Sequence, residues 1–278
     1  MEAMDAVVHA SLESFDVATL DRLAADPVRN TVALTTLDRV RRAPAADEVL
    51  TLITFHADGA VIGSLVRIGG RPFQTADLPI PAAGLAANLV ARIDPDSPGV
   101  TGPCETAEAF ATATGRAYRQ ALHTRLYRLG TLVLPQAGGA GRLATEDDVE
   151  LLGVWRVAFL AEAVPELPPE PATEAMRTSV RLCNGHLLWE VGGTPVAWAM
   201  ASLPQFGMTR IGPVYTPPEH RRHGYGAAAT AAVTRWALDR GATDVLLFTD
   251  LSNPISNSIY QRIGYRPVED WAEYWWQD

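Results

Sequence analysis

Residues 214–226 read Val214-Tyr215-Thr216-Pro217-Pro218-Glu219-His220-Arg221-Arg222-His223-Gly224-Tyr225-Gly226, and an alanine-rich helical pattern over 227–240 begins directly after them. Upstream, 210–216 is a short apolar run of strand character that enters this charged loop. Glycines at the start of a helix let an anion approach the backbone closely. The helix N-terminus then supplies unpaired N–H groups and a partial positive charge. The stretch therefore reads as a strand, a diphosphate-binding loop and a helix.

Two kinds of site use glycines in this way. Gly224-Tyr225-Gly226-Ala227-Ala228-Ala229 fits a G-x-G-x-x-A dinucleotide fingerprint, and the strand predicted over 244–249 ends at an acidic residue, Asp250, where a ribose-binding carboxylate would sit. Against this, a dinucleotide fold runs its strand almost directly into the first glycine, whereas Pro217 to His223 intervene here. Too little sequence follows Asp250 to complete a doubly wound sheet.

The other reading starts at Arg221. Arg221-Arg222-His223-Gly224-Tyr225-Gly226 has the form R-x-x-G-x-G and resembles the acyl-CoA pyrophosphate loop of the GNAT superfamily of N-acetyltransferases. Downstream, Asn253-Pro-Ile-Ser256-Asn-Ser-Ile-Tyr260-Gln-Arg-Ile-Gly264-Tyr265 resembles that family's second signature: an Asn, a helix carrying a Tyr, then Gly and an aromatic. The two motifs stand in the family's order, with one apolar strand between them. The resemblance covers roughly residues 141–278 and is greatest to proteins with two tandem GNAT-like halves.

The resemblance implies a mixed α/β (α+β) fold of two tandem GNAT-like domains, each a central mixed β-sheet flanked by helices. Residues 1–135 would be a degenerate half and 141–278 the catalytic half. Both halves share an order of elements: helices, a glycine hairpin, strand, helix, strand, helix, strand. The first hairpin pairs 50–56 with 60–68 around Asp58-Gly59, and the second pairs 187–190 with 195–202 around Gly192-Gly193. Helices are expected at 14–25, 28–42, 82–93, 105–114, 145–163, 173–182 and 254–263. Strands are expected at 76–80 and 99–102, within 117–134, and at 265–276. Residues 135–141 read as a glycine-rich linker and 165–171 as a proline-rich loop. The first half has neither R-x-x-G-x-G nor a Tyr-x-x-x-Gly helix at the matching places.

The resemblance also implies roles. Acetyl-CoA would be the acyl donor and an amine, on a small molecule or a peptide, the acceptor. Val214 N–H would meet the thioester carbonyl and stabilise a developing oxyanion. The backbone of Tyr215 and Thr216 would meet the pantetheine arm. The N–H groups of Arg222, His223, Gly224, Tyr225, Gly226 and Ala227 would cradle the pyrophosphate, with Arg221 and Arg222 adding charge. Tyr260 would protonate the leaving thiolate, a role that suits a phenol with a pKa of about 10; a core tyrosine on an amphipathic helix would look the same. Asn253 and Ser256 would line the donor, though helix capping by itself explains Asn253. For the general base, Glu162, on a helix face with Trp155 and Phe159, and Asp250 are candidates, and Glu190 is a third.

Composition narrows the rest. The 278 residues are 47% hydrophobic and carry a net charge of −9, which disfavours a nucleic-acid surface. All 23 basic residues are arginine. Cys104 and Cys183 are too few for a disulfide framework or a cysteine-based zinc site, and no histidine spacing suggests a metal. With no apolar leader in residues 1–20 and no long apolar run, a cytoplasmic location is expected, with no membrane partner. The aromatic C-terminus, Trp271, Tyr274, Trp275 and Trp276, reads as core packing, with a homodimer interface as the alternative.

Overall fold

A computed structural model describes residues 4–45, 48–75, 77–165 and 170–277. The chain forms two compact units, one of residues 1–124 with 269–278 and one of residues 125–268.

The first unit holds β1 (Met4–Val8), α1 (Leu12–Ala25), α2 (Thr31–Arg42), β2 (Leu50–Ala57), β3 (Ala60–Ile68), β4 (Phe73–Gln74), α3 (Ala83–Ile93), β5 (Gly99–Pro103) and α4 (Cys104–Ala113). β6 (Tyr118–Leu129) begins in this unit. The second unit holds β7 (Ala140–Leu143), α5 (Val149–Ala163), α6 (Ala172–Arg181), β8 (Gly185–Val191), β9 (Thr194–Ala201), β10 (Met208–Tyr215), α7 (Tyr225–Asp239), β11 (Asp244–Asp250) and α8 (Pro254–Ile263). β12 (Tyr265–Trp276) starts in the second unit and ends in the first.

In the first unit the strand order is β1-β2-β3-β4-β5-β12, with β4 and β5 parallel. Alternation sets its two faces. Ile53 and Phe55 of β2 join Ala86 and Val90 of α3 and Phe110 of α4 in one core. On the opposite face Thr54 meets His9 at 2.9 Å, and His9 packs edge-on against Phe15 of α1. The strand expected at 76–80 is not formed. β4 ends at Gln74, Ala76 lies outside the described residues, and Ile80–Ala82 is a 3₁₀ turn. Asp77 is taken up by Arg22 Nε (2.9 Å) and by the amide and hydroxyl of Ser64 (2.9 and 2.6 Å), and Pro79 and Pro81 have no N–H for a ladder. Three of the four C-terminal aromatics pack inward here. Trp271 and Tyr274 are buried, β12 pairs with β5 from Trp271↔Pro103 to Trp275↔Gly99, and Trp276 stacks on Phe110.

The residues read as a linker are built into the second unit. Ala140–Leu143 pairs with β8, Trp189 Nε1 donates to Gly138 C=O at 2.9 Å, and a Cβ at Gly139 would collide with Glu190 C=O. The glycines there permit close backbone approach and do not mark a free tether.

The second unit's strand order is β6-β11-β10-β9-β8-β7. β9 shows how the sequence builds two layers. Ala197, Ala199 and Ala201 face α7, where Ala229, Val233, Trp236 and Ala237 pack. Trp198 and Met200 face α5 and α6, against Leu152, Trp155 and Met176. Small residues on one face let α7 lie close; Gly185 of β8 accommodates the Trp236 ring, which a Cβ would strike.

The other face buries a titratable group. His186 stacks on Trp198 with ring centroids 5.8 Å apart, and its Nε2 meets Ser179 Oγ at 2.7 Å. Burial, with Arg156 nearby, lowers its pKa to about 4. The unfolded chain, with a pKa of about 6.5, therefore binds more protons than the native one between about pH 4 and 6.5. Stability from this group is complete above about pH 6.5 and falls by up to about 1.4 kcal/mol per pH unit on acidification through that window. Denaturant unfolding at pH 7 and 5 should show this slope, and His186→Gln should flatten it.

Candidate active site

The register of β10 and β11 runs in parallel from Met208↔Asp244 to Ile211↔Leu247 and stops. β10 continues to Tyr215 and β11 to Asp250, so the two strands part with a gap between them. On its other side β10 stays with β9 through Val214↔Ala199 and Tyr215↔Trp198, after an irregularity between Ile211 and Val214 at Gly212-Pro213. Pro213 has no N–H to give a neighbour. The last residues of β10, Val214 and Tyr215, thus sit at the open end of the sheet.

From Pro217 the chain makes a 3₁₀ turn, Pro218–His220, and then a loop in which Arg222 has φ 69° and Gly224 φ 81°. Arg222 is in a left-handed conformation that L-residues adopt at a cost, a feature that recurs in ligand-holding loops. α7 starts at Tyr225 without a side-chain cap, and its first internal bond runs from Ala228 N–H to Gly224 C=O at 3.0 Å. Among the described residues no acceptor takes the N–H groups of Arg222, His223, Gly224, Tyr225, Gly226 or Ala227. Six consecutive donors converge on a helix N-terminus, the arrangement that holds a diphosphate. A Cβ at Gly226 would stand 3.0 Å from Thr216 Oγ1, so glycine keeps strand end and helix start close. His223 stacks on Tyr225, which packs with Ala227 on the core.

Tyr260 lies on α8. Its ring borders the same core as Val214, Tyr225 and Ala227, edge-on to Tyr265. Burial pushes its pKa up to about 12, so the O–H stays protonated at neutral pH. Among the described residues none hydrogen-bonds to its hydroxyl, whereas Tyr265, deeper, is tied to Thr234 Oγ1 at 2.6 Å.

Other expected residues take structural positions. Asn253 Oδ1 caps α8 by accepting Ser256 N–H at 3.0 Å. Asp250 Oδ1 accepts Ser252 N–H at 2.7 Å and its carbonyl accepts from Asn257 and Asn253, so it shapes the turn into α8. Glu190 pairs with Arg142 on β8, separated from β10 by β9, and is not at the gap. Glu162, exposed at the end of α5, is held by Arg221 Nη2 at 2.7 and 2.9 Å. Arg221 Nε also donates to Thr216 C=O at 2.9 Å. Arg221 therefore points at Glu162 and not along the amides of the loop. Trp155 and Phe159 belong to the core beneath Tyr215. The loop at 165–171 falls largely outside the described residues. Among the described residues no group of three metal-ligating side chains exists.

One set of residues had no sequence signal. Tyr127 of β6, fully buried, donates to Asn257 Oδ1 at 3.0 Å and accepts from Gln261 Nε2 at 3.2 Å. It anchors the helix that carries Tyr260 from a position 133 residues earlier. Asn257, four residues after Asn253, was visible as a helical i, i+4 pair, but its partner was not.

Residues 145–265, spanning the loop, the gap and α8, match the sequence profile of the acetyltransferase (GNAT) family. This segment is a GNAT acetyltransferase domain. Fold comparison agrees over nearly the whole chain. An acetyltransferase of the GNAT family from Colwellia psychrerythraea aligns with TM-score 0.62 and 11% identity over 98% of this chain and all of its own. A GCN5-related N-acetyltransferase from Kribbella flavida aligns with TM-score 0.59 and 21% identity over 89% and 95%. A tandem GNAT protein from the clavulanic acid biosynthesis pathway aligns with TM-score 0.57 and 14% identity over 98% of both chains. At these identities the likeness establishes the fold. No curated protein matches the sequence. GNAT acetyltransferases use acetyl-CoA, and the six open amides of the GNAT loop, with Gly226 cleared of a side chain, fit its pyrophosphate. No helix among the described residues is long and apolar enough to cross a membrane.

Proposed function

We infer that the GNAT domain moves an acetyl group from acetyl-CoA to a primary amine by direct attack. The observation that carries this reading is the run of open N–H groups from Arg222 to Ala227 beside the place where β10 and β11 part. Bound acetyl-CoA supplies the activated acyl group. The loop amides hold its pyrophosphate, and the end of β10, through Val214 N–H and the Tyr215–Thr216 backbone, orients the acyl end. Tyr260 keeps a proton on Oη, available to a leaving sulfur. Asp250, with one backbone N–H on Oδ1 and its place at the end of β11, stands as a candidate base; Glu190 is engaged with Arg142 away from the gap, and Cys183, exposed, stands in no motif. The first unit would be a GNAT-like shell without donor chemistry: the start of its α3 carries Pro79 and Pro81 in place of glycines. Two free thiols suit a reducing, cytoplasmic setting.

A second reading is an acyl-CoA sensor that binds without turnover. Thermal unfolding with acetyl-CoA, CoA and NADH tests the binding shared by both. Ligand at about a hundred times Kd stabilises the native state by about 2.7 kcal/mol, a rise of about 5–10 °C for a domain of this size. A rise with acetyl-CoA and CoA but not NADH is expected. No rise with either thioester or thiol would end both readings. Thiol release with an amine panel then separates enzyme from sensor.

A further inference from the structure

The Arg221 guanidinium sits in a cation site made by the protein itself. Glu162 gives it two carboxylate contacts at 2.7 and 2.9 Å, Thr216 gives a carbonyl at 2.9 Å, and the Tyr215 ring lies under it at 6.0 Å from the centroid. A carboxylate, a carbonyl and an aromatic face are the groups that recognise an organic cation. Tyr215 is backed by Trp155 at 6.1 Å between centroids, so the aromatic wall is rigid. Glu162 and Arg221 are 52% and 42% exposed, so a ligand in solution can reach the site. It stands at the end of β10, where the strand turns into the donor loop, and Arg221 is the residue that begins that loop.

We propose that this is the acceptor's cation subsite, filled by Arg221 until the acyl donor binds. The proposal rests on the reading of the loop as a donor site. An anionic pyrophosphate on the amides of 222–227 offers Arg221 a stronger partner than Glu162, one residue from where it already stands. When Arg221 turns to the phosphates, Glu162, Thr216 C=O and the Tyr215 face are left without a cation, and a substrate ammonium or guanidinium takes its place. The donor therefore binds first, the acceptor is cationic, and Glu162 is a positioning residue. The exchange is one of ion pairs: no bond is made or broken.

Calorimetric titration of CoA into the wild-type protein and Glu162→Gln, each checked for an unchanged Tm, tests the exchange. Removing the competing carboxylate should tighten CoA about two- to fivefold, the range set by an exposed ion pair. A second arm uses agmatine, whose guanidinium copies that of Arg221. Agmatine should bind the wild-type protein only with CoA present, bind Arg221→Ala with or without CoA, and bind neither state of Glu162→Gln. Equal CoA affinity in wild type and Glu162→Gln, or agmatine binding that ignores Glu162, overturns the proposal. If the wild-type protein does not bind CoA at all, the donor-site reading fails first, and agmatine binding to Arg221→Ala alone then shows whether the cation site exists without it.

Discussion

Tyr260→Phe should lower kcat for acyl transfer by about two to three orders of magnitude while leaving the Kd for acetyl-CoA within about twofold. The size of the effect is that of a lost general acid. The substitution removes only the hydroxyl. The ring, edge-on to Tyr265 at 6.3 Å and packed on the core with Val214 and Ala227, keeps its contacts. The hydroxyl has no hydrogen-bond partner among the described residues, so no internal bond is lost there and stability should be close to unchanged. A structural tyrosine in this position would behave differently: its buried O–H would be tied down, as that of Tyr265 is to Thr234. Steady-state kinetics with thiol release, beside calorimetric binding of acetyl-CoA, reads both quantities. A kcat equal to wild type would take Tyr260 out of the chemistry and leave it a wall of the donor site. With a pKa of about 12, Tyr260 should also impose no fall in rate below about pH 10, so any alkaline limb nearer neutrality belongs to another group.

Gly264→Ala should destabilise the protein by about 4 kcal/mol, near the upper end for a single substitution. Two independent costs add here. Gly264 ends α8 with φ 114°, outside the regions open to alanine. A Cβ there would also overlap the carbonyl oxygen of Thr131. That segment cannot move away freely, because Gly130 N–H is bonded to Gly264 C=O at 3.0 Å and Val133 N–H to Ile263 C=O at 2.7 Å. Urea unfolding of the two proteins measures the difference; a change under 1 kcal/mol would mean that the 130–133 segment yields easily. Because α8 carries Tyr260, the surviving native fraction should also lose activity faster on warming than wild type.

Much of this candidate site is legible in the sequence because its parts are local. Gly224 and Gly226 at the start of α7, Asn253 as the cap of α8 and Gly264 as its end are positions where a backbone conformation or a bond within four residues demands a residue type. Helix α8 and strand β12 run over the residues expected of them for the same reason. The expectation failed where a local signal had two meanings. Glycines at 138–141 read as a tether but allow an edge strand to lie against β8. The stretch 76–80 reads as a short strand, yet Asp77 is drawn to Arg22, 55 residues away, and to Ser64.

The sequence by itself determined the GNAT domain, its glycine loop, the order of the elements and the place of Tyr260 on α8, since each rests on spacing along the chain. Only the tertiary structure decided which charges meet. It put Arg221 on Glu162, 59 residues apart, joining a candidate base to the first residue of the glycine loop. It put Tyr127 under α8 and sent residues 269–278 into the first unit. Ion pairs and strand partners are chosen by three-dimensional proximity, and nothing in the one-dimensional pattern encodes the distance between residues that far apart.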